Sequence, residues 1–170
     1  MAIRTILHYP DPRLKQKGAR VAEITDDVKK LVDDMAETMY AAPGVGLAAT
    51  QIGVPLQVFV IDIADKDEPS DLRVFINPEI VAREGELTWT EGCLSFPGVT
   101  EDVERAAKVR VRAQDRDGVW FELEAEGLLA VAIQHEYDHL QGVLMIDHLG
   151  PLKKRIVHRK MVKRSEELGA

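Results

Sequence analysis

Gln134-His135-Glu136-Tyr137-Asp138-His139-Leu140 sets two imidazoles four residues apart, with a carboxylate directly after the first. On an α-helix, residues i and i+4 share a face, so His135 and His139 reach one metal ion together. Glu136 points off that axis, close enough to act on water at the metal without ligating it. A helix built only for packing rarely carries two histidines around a glutamate. The HExxH pattern still leaves the reaction open, because a metal, two imidazoles and a base suit several hydrolyses. A third ligand has to come from elsewhere in the chain.

The residues just before the motif, Leu128 to Ile133, are apolar on every side, which predicts a helix buried in the core and ended by Gly142. Further on, Pro151 suits the first position of a C-terminal helix over 151–170, with Leu152, Ile156, Val157 and Met161 as its inner stripe. Upstream, Val119–Ala125 and Lys108–Ala113 read as strands joined by a turn at Asp115–Gly118. Arg73–Val81 and Gln57–Ile63 are two more apolar, β-branched runs, separated by a charged loop from Ala64 to Leu72. Nearer the start, Thr25 or Asp26 caps a helix whose Val28, Leu31, Val32, Met35 and Met39 form one apolar face, ending before Pro43-Gly44. Strands in the middle with helices at both ends predict an α+β fold: mixed, mostly antiparallel sheets around a central buried HExxH helix.

With 170 residues and 45% apolar content, the chain has enough material for one domain with a core, spanning 1–170. The first ten residues lack the apolar stretch of a signal peptide, and no run approaches a membrane span, so a cytoplasmic location is expected. A net charge of −7 argues against a general nucleic-acid binder. From Pro151 onward, however, seven Lys/Arg stand against two Glu, so this tail either faces something anionic or is a solvated helix packed on the body.

For the third ligand there are few candidates. His8, His148 and His158 are isolated, and lone histidines are usually surface or packing residues. The single cysteine rules out an internal disulfide, leaving Cys93 as inert packing, a free thiol or a ligand. It lies in Thr90-Glu91-Gly92-Cys93-Leu94-Ser95-Phe96-Pro97-Gly98, which reads as an exposed, turn-rich connection between strands. A thiolate there completes a His₂Cys set with one tetrahedral position open, the arrangement of a catalytic site rather than a structural one.

Three segments in order, Gly44-Val45-Gly46-Leu47-Ala48-Ala49-Thr50-Gln51, Glu91-Gly92-Cys93-Leu94-Ser95 and Gln134-His135-Glu136-Tyr137-Asp138-His139, resemble the signature motifs of bacterial peptide deformylases. The likeness spans nearly the whole chain. It departs after Pro97, where Gly98-Val99-Thr100-Glu101 lacks an arginine that some members place there to meet the substrate's peptide chain. The resemblance implies that Cys93, His135 and His139 bind a divalent metal, Fe(II) physiologically, with Zn, Ni or Co as replacements. It implies hydrolysis of the N-formyl group from the initiator methionine of new polypeptides, hydroxide at the metal attacking the formyl carbon with Glu136 as general base and acid. Gln51 and the Leu94 backbone N–H become oxyanion donors. Val45, Gly46 and Gly92 become backbone contacts for an extended peptide, while Trp89, Leu128, Val131 and Ala132 become the methionine pocket. Glu91 orients a ligand histidine or pairs with Arg105, and the basic tail becomes a candidate for ribosomal RNA contact. Two rivals remain at this point: a zinc peptidase on the same helix motif, and a non-catalytic, metal-stabilised module that docks on ribosomes.

Overall fold

Thr25 does cap the first helix. Its hydroxyl accepts from the Val28 backbone N–H at 3.4 Å, and α1 runs Asp26–Ala41. All five residues of the apolar face are buried, so both methionines are core. The computed structural model describes residues 2–65 and 67–168; Lys66 of the 64–72 loop and the last two residues of the basic tail lie outside the described residues. After α1 come β1 (Gly46–Ala48), a 3-10 turn (Ala49–Ile52), β2 (Val58–Ile61), β3 (Arg73–Glu84), β4 (Leu87–Gly92) and β5 (Thr100–Arg105). Then follow β6 (Lys108–Gln114), β7 (Trp120–Glu126), α2 (Gly127–Leu140) and α3 (Pro151–Glu167).

Five strands form one sheet in the order β1-β2-β3-β6-β7, every pair antiparallel, and β4 and β5 form a separate two-stranded sheet. Strand β2 explains why its sequence is apolar without alternation. Phe59 and Ile61 pack with Ile133 and Leu140 of α2, whereas Val58 and Val60 pack with Leu31, Met35 and Met39 of α1. Side chains alternate across a strand, so a strand covered on both faces needs apolar residues at both parities. Burying each such side chain contributes roughly 1.5–3 kcal/mol. Helix α2 therefore crosses the sheet's inner face, as a buried helix should.

A third cluster holds the remaining pieces together: Leu7 and Leu14 from the N-terminal segment, Phe96 and Val103 from around the cysteine, and Val157 and Met161 of α3. Only part of the predicted α3 stripe is inward, because Leu152 is 69% exposed and Ile156 56% exposed. The helix touches the body along the line of Val157 and Met161, and its first turn overhangs. Gly142 ends the α2 segment with φ +76°, and a Cβ there would lie 2.5 Å from the Lys15 carbonyl oxygen, so close approach as well as conformation demands glycine. No helix among the described residues is long and apolar enough to cross a membrane.

The sequence reading missed β1, β4 and β5. It also took the Cys93 segment as exposed, whereas Ser95 and Phe96 are fully buried and Cys93 is half-buried. The turn is folded inward because Phe96 stacks on Tyr9, ring centres 5.0 Å apart, and closes the third cluster.

Candidate metal centre

Three elements converge on α2. The ligand atoms of Cys93, His135 and His139 all lie within 4.8 Å of one another. The Cys93 sulfur is 3.4 Å from His139 Nε2, and the two Nε2 atoms are 3.2 Å apart. Two imidazolium ions cannot sit so close. Burial, and then the charge of His135, hold the His139 pKa well below its ordinary value, which keeps a lone pair available. Burial disfavours charge on His135 as well, but Cys93, Glu136 and Glu91 outweigh it and raise its pKa. A site that draws positive charge between a sulfur and two ring nitrogens is suited to a cation, and the donor set fits a divalent metal with a position left open.

Glu136 stands beside this set with its Oε1 buried and without a hydrogen-bond partner among the described residues. Burial raises its pKa to about 7; His135 and Arg105 oppose the rise, while Glu91 and Asp138 add to it. A carboxyl group poised near neutrality takes up and gives back a proton with little penalty. Behind it, β1 comes so near that a Cβ at Gly46 would lie 2.6 Å from Glu136 Oε2, so only glycine lets the strand pass.

Glu91, at the end of β4, does both things its position suggested. Its Oε1 is 2.9 Å from His135 Nδ1, and Arg105 of β5 donates to it twice, at 2.7 and 2.8 Å. Arg105 also donates to Asp138 at 2.6 Å, and Asp138 in turn meets His148 Nε2 at 2.8 Å. This chain fixes the His135 ring with its Nε2 toward the sulfur. His139 has no such anchor among the described residues, its Nδ1 being buried without a partner there. Removing the carboxylate in Glu91→Ala should therefore weaken metal affinity about 10- to 100-fold. Unchanged affinity by competitive chelator titration would show that the ring holds its position unaided.

Gln51, in the 3-10 turn, is held at both ends of its amide. Its Oε1 accepts from the Ala48 backbone N–H at 2.9 Å, and its Nε2 donates to Ser95 Oγ at 3.0 Å while lying 3.7 Å from the Cys93 sulfur. The amide carries two hydrogens, one donated to Ser95 Oγ and the other, over a long and weak contact, to the Cys93 sulfur, which aims that second hydrogen at the metal position. Ser95 and the Asp138–His148 extension were not read from the sequence. Ser95 is two residues from the cysteine, a weak signal, and nothing in the sequence pairs Asp138 with Arg105.

A cleft of about 780 Å³ opens over the cluster, lined by Val45, Gly46, Gln51, Gly92, Cys93, Leu94, His135 and Glu136, among others. His139 lies beneath, 1% exposed. Trp89, Leu128, Val131 and Ala132 are not among its lining residues. Val131 and Ala132 are buried in α2, Leu128 is half-buried, and Trp89 sits 36% exposed on β4 opposite Val103.

Comparison with known proteins supplies a frame for this geometry. The family model for polypeptide deformylase matches residues 3–155. Curated peptide deformylases from Alkalilimnicola ehrlichii and Syntrophobacter fumaroxidans are 56% and 53% identical, covering 96% and 100% of this chain and 91% and 100% of those proteins. The crystal structure of a peptide deformylase from Legionella pneumophila superposes with a TM-score of 0.91 at 49% identity, covering 98% of each chain. One from Ehrlichia chaffeensis, solved in complex with actinonin, gives 0.92 at 34% identity, covering 96% of this chain and 98% of that one.

Proposed function

The chain belongs to the peptide deformylase family, enzymes that remove the N-formyl group from nascent polypeptides, and on that footing we propose which residues of the cleft do each part of the work. The observation that carries the assignment is the Cys93–His135–His139 cluster with the unpartnered Glu136 Oε1 beside it. Fe(II) is the ion assigned to Cys93, His135 and His139, with Zn, Ni or Co able to replace it, and such an ion supplies Lewis acidity toward the formyl oxygen and toward water. Glu136 takes a proton from the attacking water and later delivers it to the amine nitrogen as the C–N bond breaks, releasing formate and a free methionine amine. Gln51 Nε2 and the Leu94 backbone N–H donate to the formyl oxygen as negative charge gathers on it. Each such donor is worth about 3 kcal/mol, so Gln51→Ala should lower kcat by about two orders of magnitude.

The peptide is assigned to the gap between two strand edges. Gly46 lies in β1, at the edge of the five-stranded sheet, and Gly92 ends β4 of the two-stranded one. With Val45, they offer backbone groups to an extended chain laid between them as an added strand. Leu128, Val131 and Ala132 precede His135 by seven, four and three residues, so they continue the stripe that carries the ligands. Like Trp89, however, they do not line the cleft, so the methionine side chain is not assigned to them. Residues 1–170 act as one domain in the cytoplasm.

Three cations of α3, Arg155, Arg159 and Lys163, recur at four-residue intervals on its exposed side, with no ion-pair partner among the described residues. Their neighbours Lys153, Lys154 and Lys160 are engaged by Glu101, Asp147 and the Gly98 carbonyl oxygen. The free stripe suits the phosphate backbone of ribosomal RNA, a contact that weakens steeply with salt. Cosedimentation with ribosomes that survives replacement of all three by glutamate would remove this part of the reading.

The assay that separates the alternatives uses formyl-Met-Ala-Ser and unformylated Met-Ala-Ser with protein loaded anaerobically with Fe(II) or Ni(II). Formate from the first and no reaction with the second is the expected result. Cleavage between residues would indicate a peptidase, and no reaction with either a non-catalytic module.

A further inference from the structure

We propose that Arg164 reads the charge of the nascent chain a few residues beyond methionine, favouring a carboxylate side chain and disfavouring a cation at the place where the peptide leaves the cleft. This rests on the deformylase reading of the cleft and extends it to the downstream sequence.

Arg164 continues the line by which α3 is docked. Val157 and Met161, 3% and 1% exposed, are the helix's buried residues, and position 164 follows them at the i, i+4, i+7 spacing. An arginine thus occupies the next place on an inward stripe, and it is half-buried and lines the wall of the cleft. Among the described residues it is the single Lys or Arg lining that cleft, and Glu136 is the single Asp or Glu. The two charges come from different elements. Glu136 lies at the metal cluster on α2, whereas Lys160, one helical turn before Arg164, donates to the Gly98 carbonyl oxygen at 2.9 Å, at the far end of the turn that begins with Cys93.

The guanidinium has no carboxylate partner among the described residues. Its one side-chain contact is Nη1 to His8 Nδ1 at 3.3 Å. Burial, and then the charge of Arg164, lower the His8 pKa, so the imidazole stays neutral near pH 7 and accepts from the guanidinium through Nδ1. His8 therefore fixes the arginine without neutralising it. The Gly98–Glu101 stretch contributes no cation, and Thr100 is its other polar lining residue beside the backbone of Gly98. A cleft of about 780 Å³ holds more than formyl-methionine. An extended chain advances roughly 3.3 Å per residue, so the third to fifth residues pass the rim where Arg164 waits with its positive charge unmatched.

The test uses full-length, metal-loaded enzyme and C-terminally amidated formyl-Met-Ala peptides carrying Glu, Gln or Lys in turn at the third, fourth and fifth positions. At one of these positions, wild-type kcat/KM should rank Glu over Gln over Lys, with about a fivefold spread at low salt that narrows near 1 M salt. The spread should appear in KM and not in kcat. Arg164→Gln should collapse it toward unity, and Arg164→Lys, which keeps the charge, should restore most of it. Equal rates for Glu and Lys peptides at all three positions in the wild type would overturn the proposal while leaving deformylation intact, as would a spread that survives Arg164→Gln. No formate from any peptide would overturn the deformylase reading itself and this inference with it. The salt dependence is read on the wild type alone, so it stands even if a variant folds poorly.

Discussion

Glu136→Gln should lower kcat for a formylated peptide by about three orders of magnitude while the protein keeps its metal. The substitution preserves size and shape, so the narrow space between α2 and Gly46, where a Cβ would already lie 2.6 Å from Oε2, is not disturbed. What it removes is the capacity of a buried carboxyl group, with its pKa near 7, to hold a proton and release it again. Both proton transfers depend on the same group, so loss of either halts turnover. Metal content by elemental analysis and the melting temperature should match the wild type. If the glutamine protein released formate at more than a tenth of the wild-type rate, the proton would have to travel through some other group.

The second large effect is expected from Cys93→Ala. Cys93 is only half-buried and lies in a turn closed by the Phe96 N–H donating to the Cys93 carbonyl, so the fold should tolerate the change. Metal binding should not. Two imidazoles remain, and the loss in affinity should exceed the roughly hundredfold that follows from losing a partner that only orients a ligand. A chelator should inactivate the wild-type protein reversibly, with activity returning when Fe(II) or Ni(II) is restored, whereas the alanine protein should stay inactive at the same metal concentration. Stoichiometric metal and normal formate release in Cys93→Ala would remove the thiolate from the ligand set.

What could be read in advance follows from how locally each feature is encoded. The histidine pair on α2, the Thr25 cap and the glycine that ends the helix rest on neighbours within one or two helical turns, and each lies on the element where its sequence places it. Strands β4 and β5 rest on each other. Thr-Glu-Asp-Val-Glu-Arg has too much charge to look like a strand, and Leu-Thr-Trp-Thr-Glu-Gly is short and ends in glycine, until the two are paired, Trp89 opposite Val103 and Glu91 opposite Glu101. Arg105 is legible only in part. Its pairing with Glu91 is expected, but its burial at 6% exposure and its second partner Asp138, 33 residues away, are not announced by the sequence. A buried charge is tolerable only when paired, and removing one member of such a group typically costs about 3–5 kcal/mol. The glycines at 44 and 46 could be seen as points of close approach, but what approaches, the Leu94 and Glu136 side chains, depends on tertiary structure.

The β4–β5 pair shares no backbone ladder with the main sheet, and the centre draws Gln51, Cys93 and the two histidines from separate stretches of chain. This bears on the order in which the molecule is made. During synthesis from the N-terminus the thiol emerges first, and both imidazoles follow more than forty residues later. A growing copy lacks the Cys93–His135–His139 set until the chain is made through position 139, so these three side chains can hold an ion together only after that point. An enzyme that works on newly made chains thus starts as one of them without the side chains that its own chemistry calls for.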